Sequence, residues 1–366
     1  MKPAEMNHPD GYKAEPATQG NSNMMLIRPI AQSDLACLMN LARVAGVGLT
    51  SLPANEDRLA ARIDRSVKSF TGEMPFAQQG FVFVLQDSVT GMIAGTCAIE
   101  SAVGMNDPWY NYRIGTIVHA SQEIGIYKRH EALFLSNDHT GYSELCTLFL
   151  HPEYRVNRNG SLLSKSRLLF LAQFPQLFAK VVVAEMRGVS DENGLSPFWE
   201  GVGRNFFSMD FDKADYLTGV GQKTFVAELM PKHPIYVDLL PESARAVLRV
   251  THKDTKPALA MLESEGFRCE GYVDIFDGGP TVQAYVDQIR AVRDSRVRPA
   301  VISDTVDVEG AVPMLVSNTA REDFRVVMIQ AVDRECLLMT PAQATVLGVQ
   351  AGDPVRCVTL CSKAPC

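Results

Sequence analysis

The stretch SELCTLFLHPEYRVNRNGSLLSKSR, Ser143 to Arg167, constrains this chain more than any other. It opens with strand-like apolar residues, crosses a basic Asn/Gly turn, and runs straight into a helical pattern that continues to Phe174. A strand that feeds a helix this abruptly leaves the first helical N–H groups without intrahelical partners, and the helix dipole adds partial positive charge at the same point. Gly160 has no Cβ to hold a ligand away, and Arg155, Arg158, Lys165 and Arg167 bring charge close by. Together these residues predict a diphosphate site at a helix N-terminus. The other reading of the same residues is a basic helix start that faces solvent.

The strand Glu144–Leu150 bears on what the diphosphate is attached to. A pantetheine-like arm carries amides that can pair with an unpaired strand edge. Strand, turn and helix together describe a coenzyme A site. The familiar acyl-CoA turn reads Arg/Gln-x-x-Gly-x-Gly/Ala. Here it reads Arg155-Val-Asn-Arg158-Asn159-Gly160, so Arg158 stands where the first glycine is usual. Such a residue either adds a phosphate contact or strains the turn, because non-glycine residues disfavour φ > 0.

With 366 residues the chain exceeds one ordinary core. Residues 1–23 are polar, rich in Pro, Gly and Asn, and lack the apolar middle of a signal peptide, so they read as a disordered leader. Folding is expected to begin at Met24-Met25. A strand (Met25–Ile30) precedes a helix that ends at Gly46 and Gly48, and a second amphipathic helix (Asn55–Phe70) is capped by Asn55. A hairpin follows, Phe81–Gln86 and Met92–Val103, and then further strands up to the opening stretch. The strand Lys180–Val189 and a helix begun by Ser196-Pro197 come after it. Strand, two helices, four strands, helix, strand, helix is the order of an acetyltransferase-like α/β domain. The segment Lys256–Gly279 loosely echoes PFWEGVGRNFF, which leaves open an internal half-repeat near 236–290 within one elaborated region, 24–290.

After Arg298 the composition changes to Val-rich runs broken by Gly, Pro and Asp, an all-β pattern over 299–366. There MTPAQATVLGVQAGDPVRCV resembles the short helix and Leu-Gly-x-x-x-Gly-Asp turn of double-psi-type barrels. A generic small β-domain is the alternative.

Net charge of −7 argues against bulk nucleic-acid binding, and no apolar run approaches the ~18 residues of a membrane span. The scattered cysteines include no zinc-type pairing with a second Cys or His pair, and no His-Glu-x-x-His is present, so no metal is expected. GVGQKT lacks the Gly-Lys-Ser/Thr order of a P-loop, and GLSPF is not a nucleophile elbow.

Longer motifs carry a resemblance. GLTSLP (48–53), NDPWYNYR (106–113), LSNDHTG (135–141), ELCTLFL (144–150), LLSKSR (162–167), VAEMRG (183–188), SPFW (196–199), FFSMDF (206–211), AELMPKHPIY (227–236) and DIFDGGP (274–280) resemble the arginine N-succinyltransferase family, from about Met24 to Arg290 and more weakly beyond. The resemblance implies a GNAT-like α/β fold, elaborated, with a small β-barrel-like C-terminal domain. It implies a cytoplasmic bacterial acyltransferase of arginine catabolism that moves succinyl from succinyl-CoA, a co-substrate and not a resident cofactor, to the α-amino group of L-arginine. It also implies a homo-oligomer, or one paired with a paralogous subunit. An ornithine-preferring or dual-specificity enzyme, or a non-catalytic acyl-CoA-binding subunit, is the alternative.

By the same resemblance the family's CoA contact falls on Leu148 and its proton donor on His252 in RVTHKDTKPAL. On residues alone Leu148 is equally a core leucine and His252 a surface loop histidine. The chemistry wants such a group: an ammonium must lose a proton before attack, and the expelled thiolate must gain one. The guanidinium needs carboxylates, for which Asp138, Asp191, Glu192 and Asp277 are candidates. The succinyl carboxylate needs a cation, with Arg113 and Arg187 as candidates, and His139 is a further substrate candidate. Trp109, Tyr110 and Tyr112 either wall the pocket or belong to the core. Cys146 reads as a buried thiol and no acyl-enzyme is expected.

Overall fold

The computed structural model describes residues 24–46, 49–191, 194–221, 224–306 and 309–361. The expected leader, Gly48, Glu192 and residues 362–366 lie outside these.

The strands are β1 Met25–Pro29, β2 Gly80–Asp87, β3 Ile93–Glu100, β4 Asn111–Ser121, β5 Ile126–Ser136, β6 Ser143–Leu150, β7 Val181–Glu185 and β8 Ile235–Tyr236. They continue as β9 Arg268–Asp274, β10 Pro280–Tyr285, β11 Arg296–Ile302, β12 Val312–Ser317, β13 Val326–Ala331, β14 Leu337–Met339 and β15 Pro354–Thr359. All join one mixed sheet in the order β14-β11-β15-β12-β13-β1-β2-β3-β6-β7-β10-β9-β4-β5-β8.

Two features of that order bear on the expectations. The strands of the suggested half-repeat, β9 and β10, insert between β7 and β4 and belong to the main sheet. The C-terminal strands also continue it, because β13 pairs antiparallel with β1. The order is open, with β14 and β8 at its ends, so the barrel-like C-terminal closure is not what these strands form. With β12 on one edge and β1 on the other, β13 has no free edge with which to close a barrel.

β2 and β3 are buried on both faces, as their near-continuous apolar runs require. The helix Glu56–Thr71 covers one face. Asn55 caps it by accepting from the Arg58 N–H at 3.1 Å, and Gly72, in the left-handed region at φ +87°, ends it. Its inward residues Leu59, Ile63 and Phe70 are at most 3% exposed. Phe70 meets Phe81, Phe83 and Phe170 edge-on at 5.1 to 5.7 Å. Truncating such a ring costs about 3–5 kcal/mol.

The helix Asn159–Gln173 is buried almost all round, between the sheet and the C-terminal strands. A buried ion cluster fixes it. Lys165 Nζ lies 2.8 Å from Glu265 Oε1 and donates to the Leu360 carbonyl at 2.9 Å. Arg290 meets the same carboxylate at 2.7 Å and donates to the Thr359 carbonyl at 2.9 Å. Lys165 is therefore spent on holding this helix to the C-terminal strand and adds no charge at the helix start. Among the described residues no helix is long and apolar enough to cross a membrane.

Candidate active site

β6 and β7 run parallel and pair only at Ser143–Val182 and Glu144–Val183. Beyond Glu144 they separate. On its other side β6 stays paired with β3, but with a register shift opposite Thr96–Ala98. The bulged residue Thr147 adopts φ +55°, and this extra residue bends β6 away from β7. The Thr147 hydroxyl accepts from the Arg62 guanidinium at 2.7 Å, which ties the bulge to the helix Glu56–Thr71.

The opening holds a cavity of about 910 Å³. Its walls include β6 from Glu144 to Leu150, the turn with Arg155, Arg158, Asn159 and Gly160, the end of β7 through Arg187, and Lys253, Asp254 and Thr255. The predicted carrier-binding residues are thus brought together: Leu148 in the bulged strand, and Arg155, Arg158, Asn159 and Gly160 at the helix start.

The turn shows how these residues fit. Asn157 and Arg158 both take left-handed backbone, φ +50° and +62°. For Arg158 this costs about 1–2 kcal/mol relative to ordinary helical backbone. Arg155 Nε donates to the Leu150 carbonyl at 3.1 Å, and the buried Asn159 amide donates to the Tyr154 carbonyl at 3.1 Å, so both brace the turn. The first helical bond is Leu162 N–H to the Arg158 carbonyl, at 3.0 Å. Among the described residues nothing accepts from the N–H groups of Gly160 and Ser161. A Cβ at Gly160 would meet protein no closer than Leu150 Cδ2 at 3.9 Å, so the protein itself does not demand glycine there. Arg167 is buried and donates to the carbonyls of Ser164 (3.0 Å) and Cys146 (3.3 Å), which makes it a support of β6.

His252 itself does not line this cavity, although Lys253, Asp254 and Thr255 do. Its N–H donates to the Arg187 carbonyl at 2.8 Å, and its own carbonyl accepts from Thr255 and Lys256. Its Nδ1 accepts from the Asp254 N–H at 3.2 Å, and the ring also bonds the Ser190 backbone. Burial pushes the imidazole pKa below its ordinary value, and the neighbouring Arg187 charge adds to this, while Asp254 opposes it. Arg187 lines the cavity; its Nη2 donates to Ser190 Oγ at 2.9 Å, whereas its buried Nε has no partner among the described residues.

Other candidates lie elsewhere. Asp138 accepts from the Tyr272 hydroxyl at 2.7 Å, a bond that lowers its pKa. His139 is buried among Trp109, Tyr142 and Tyr272, with Nδ1 2.7 Å from Asn111 Oδ1; burial lowers its pKa. Neither they nor Arg113 line the cavity. Asp277 does, but its carboxylate accepts from the N–H groups of Gly188 (2.6 Å) and Gly279 (2.8 Å). A Cβ on Gly279 would sit 2.1 Å from the Met186 carbonyl, so this turn does require glycine. Asp191 binds the Leu195 N–H at 2.8 Å within its own loop. Tyr112 is core, 1% exposed. The Cys146 thiol is pushed up to about 12, mainly by burial, which leaves it an inert thiol at neutral pH.

A second cavity of about 450 Å³ abuts the first. Trp109 and Tyr110 line it, with Arg58, Arg62 and Arg65 of the helix Glu56–Thr71. The two share Glu144, Glu185 and Asp274, carboxylates that sequence reasoning missed. The only local signal was a glutamate closing the apolar run VVVAE. Among the described residues no acidic, His or Cys group is arranged to hold a metal.

The comparisons agree with this geometry. The family described as arginine N-succinyltransferase beta subunit matches residues 25–291, and its C-terminal domain matches 296–359. An arginine N-succinyltransferase of Yersinia enterocolitica is 56% identical over 92% of this chain and 98% of its own. One from Escherichia coli is 55% identical over 93% and 99%. The solved structure of arginine/ornithine succinyltransferase subunit AI from Pseudomonas aeruginosa superposes with TM-score 0.86 at 36% identity, over 93% of this chain and all of that one. The opened β6–β7 edge and the helix N-terminus at its end thus belong to an α/β acyltransferase, and the chain is a member of the arginine N-succinyltransferase family.

Proposed function

We propose that this protein transfers the succinyl group of succinyl-CoA to the α-amino group of L-arginine, by direct attack in a ternary complex. The observation that carries this reading is the larger cavity, which runs from free N–H groups at Gly160 and Ser161 along the unpaired edge of β6. A diphosphate suits the helix start, and a pantetheine arm suits the strand edge. Succinyl-CoA is a co-substrate here, and the enzyme needs no resident cofactor. A cytoplasmic setting and a homo-oligomeric assembly complete the reading.

The chain's own residues supply three things. The splayed strands orient the thioester against the amine, which makes attack effectively unimolecular. Backbone N–H groups near Leu148 stabilise the oxyanion. His252 returns a proton to the departing thiolate. Its lowered pKa makes the imidazolium a stronger acid but a scarcer one, so it works best when loaded by a proton released within the site. Arg187, with its unpaired Nε, suits the succinyl carboxylate.

Thiol release from succinyl-CoA with arginine, measured on the purified chain alone, is expected to show sustained turnover. Dependence on a second protein for any turnover would favour a carrier-binding subunit. Rates with ornithine are expected to fall below those with arginine; the reverse order would reassign the acceptor. His252→Ala should lower kcat by about 10²–10⁴-fold with little change in KM. An unchanged kcat would remove His252 from the reaction.

A further inference from the structure

We propose that the smaller cavity receives the acceptor amino acid, and that Glu185, in the wall between the cavities, binds and deprotonates its ammonium group. This rests on the acyl-transfer reading and names the base which that reading lacks.

The two cavities meet at Thr50, Ser51, Glu144, Cys146, Glu185, Asp274 and Phe276. A thioester lying along β6 would be attacked across this wall, so the acceptor must come from the smaller cavity. That cavity suits a zwitterion with a cationic side chain, because arginines and carboxylates both line it. Among the shared groups, Asp274 already accepts from the N–H groups of Phe276 (2.7 Å) and Asp277 (2.8 Å). The Cys146 thiol stays protonated at neutral pH.

Glu185 is held differently. Its Oε1 accepts from Asn111 Nδ2 at 2.7 Å, from behind. Asn111 Nδ2 also reaches Thr281 Oγ1 at 3.3 Å, and Asn111 Oδ1 meets His139 Nδ1 at 2.7 Å. His139 Nε2 in turn lies 3.2 Å from Gln283 Oε1. Asn111, Thr281 and His139 are each 2% exposed. This buried network reaches the cavities through the Glu185 carboxylate. His139, a substrate candidate in the sequence, is a positioning residue in this network.

The groups facing Glu185 are Asn111 on β4, Thr281 on β10, Glu144 on β6, Asp274 at the end of β9 and Asp277 just after it. Burial raises its pKa well above the ordinary carboxylate value, and the charges of Asp274 and Glu144 add to this. In its ionised form such a carboxylate is a stronger base toward an ammonium than a solvated one. In the step, one ammonium proton passes to Glu185. The nitrogen lone pair forms the C–N bond and the carbonyl π pair moves to oxygen. Collapse breaks the C–S bond, and the departing sulfur takes up one proton as the nitrogen gives up its second. The net products are amide, thiol and one proton, which leaves Glu185 for solvent.

Glu185→Gln tests the proposal. At pH 7 kcat/KM for arginine should fall at least 100-fold, while calorimetry gives a succinyl-CoA dissociation constant within about twofold of wild type. The defect should shrink as pH rises toward the amine's own pKa, because solution then removes the proton. Wild-type kcat/KM, or a defect equal at every pH, overturns the proposal. Ala61→Trp tests the cavity independently, from an exposed helix position in its wall. KM for arginine should rise at least tenfold with succinyl-CoA affinity unchanged; an unchanged KM overturns the assignment even if Glu185→Gln does not fold. Wild-type protein that takes up no succinyl-CoA would sink the acyl-transfer reading itself, a result distinct from either.

Discussion

One side of the larger cavity is a single run of chain, β6 with the turn and helix start just after it, and the rest includes the end of β7, residues 253–262 and the residues around Asp274. The smaller is walled by side chains from the helix Glu56–Thr71, the ends of β3, β6 and β7, the loop 102–110 and the residues after β9. On the proposed reading one would bind through backbone N–H groups and an unpaired edge, the other through opposed charges. A backbone site tolerates side-chain change but not loss of space or register. A side-chain site tolerates neither loss of charge nor displacement of a single anchor.

The largest way to break this contrast, after Glu185 and His252, is to fill the backbone site. Gly160→Val places carbon where the carrier's phosphates would approach, with no protein atom within 3.9 Å to resist it. Losing charge-assisted bonds there costs about 1.5–3 kcal/mol. KM for succinyl-CoA should therefore rise about 10- to 100-fold, with KM for arginine unchanged and the thermal midpoint near wild type. Leu148→Ala, by contrast, should alter KM for succinyl-CoA only about twofold if the contact is through backbone. A large effect of Leu148→Ala would make the side chain part of the site and dissolve the contrast.

This division also explains what the sequence could reveal. The proposed carrier site could be named from sequence because its strand, turn and helix are contiguous, with Asn157, Arg158 and Gly160 side by side. Arg158 in the acyl-CoA turn read either as an added phosphate contact or as strain. The structure carries the left-handed backbone at Asn157 and Arg158 without glycine at either. Lys165 and Arg167 misled because their charge is buried, Lys165 against Glu265 a hundred residues on, which has no local signature, and Arg167 against backbone carbonyls of Ser164 and Cys146. The wall with Glu144, Glu185 and Asp274 was illegible for the same reason. The C-terminal pattern predicted the strands but not their partner, because the edge that takes β13 is β1, roughly three hundred residues earlier.

Arg62 sharpens the comparison, because it belongs to both cavities in effect. It lines the smaller one, yet its guanidinium holds Thr147 in the bulge that opens the larger, and it also reaches Glu100 and the Ser51 carbonyl. Arg62→Lys keeps a charge but loses the fork that meets several partners at once. Both KM values should rise, each about three- to tenfold, roughly the loss of one net hydrogen bond per site. A change confined to arginine would make Arg62 an acceptor ligand alone.

The smallest effects are expected in stability against pH, and they have opposite signs at the two ends of one network. Burial holds His139 below its ordinary pKa, so the unfolded chain binds more protons than the native one as pH falls below about 6.5. Its contribution is complete above that pH and is lost as pH drops toward the native value. Burial and the Asp274 and Glu144 charges hold Glu185 above its ordinary pKa. There the native chain binds more protons, so its contribution is complete at acid pH and is lost as pH rises from about 4.3 toward the native value. His139→Asn should therefore reduce the fall in thermal midpoint between pH 7.5 and 5.5, whereas Glu185→Gln should enlarge it. Asp138, Tyr142 and Tyr272 also face His139, so Asp138→Asn is the control and should leave the sign of the His139→Asn effect unchanged. If both main variants moved the slope the same way, the network would not pair an imidazole of lowered proton affinity with a carboxylate of raised proton affinity. Glu185 would then be held as an ordinary carboxylate, without the raised proton affinity that strengthens it as a base toward the ammonium.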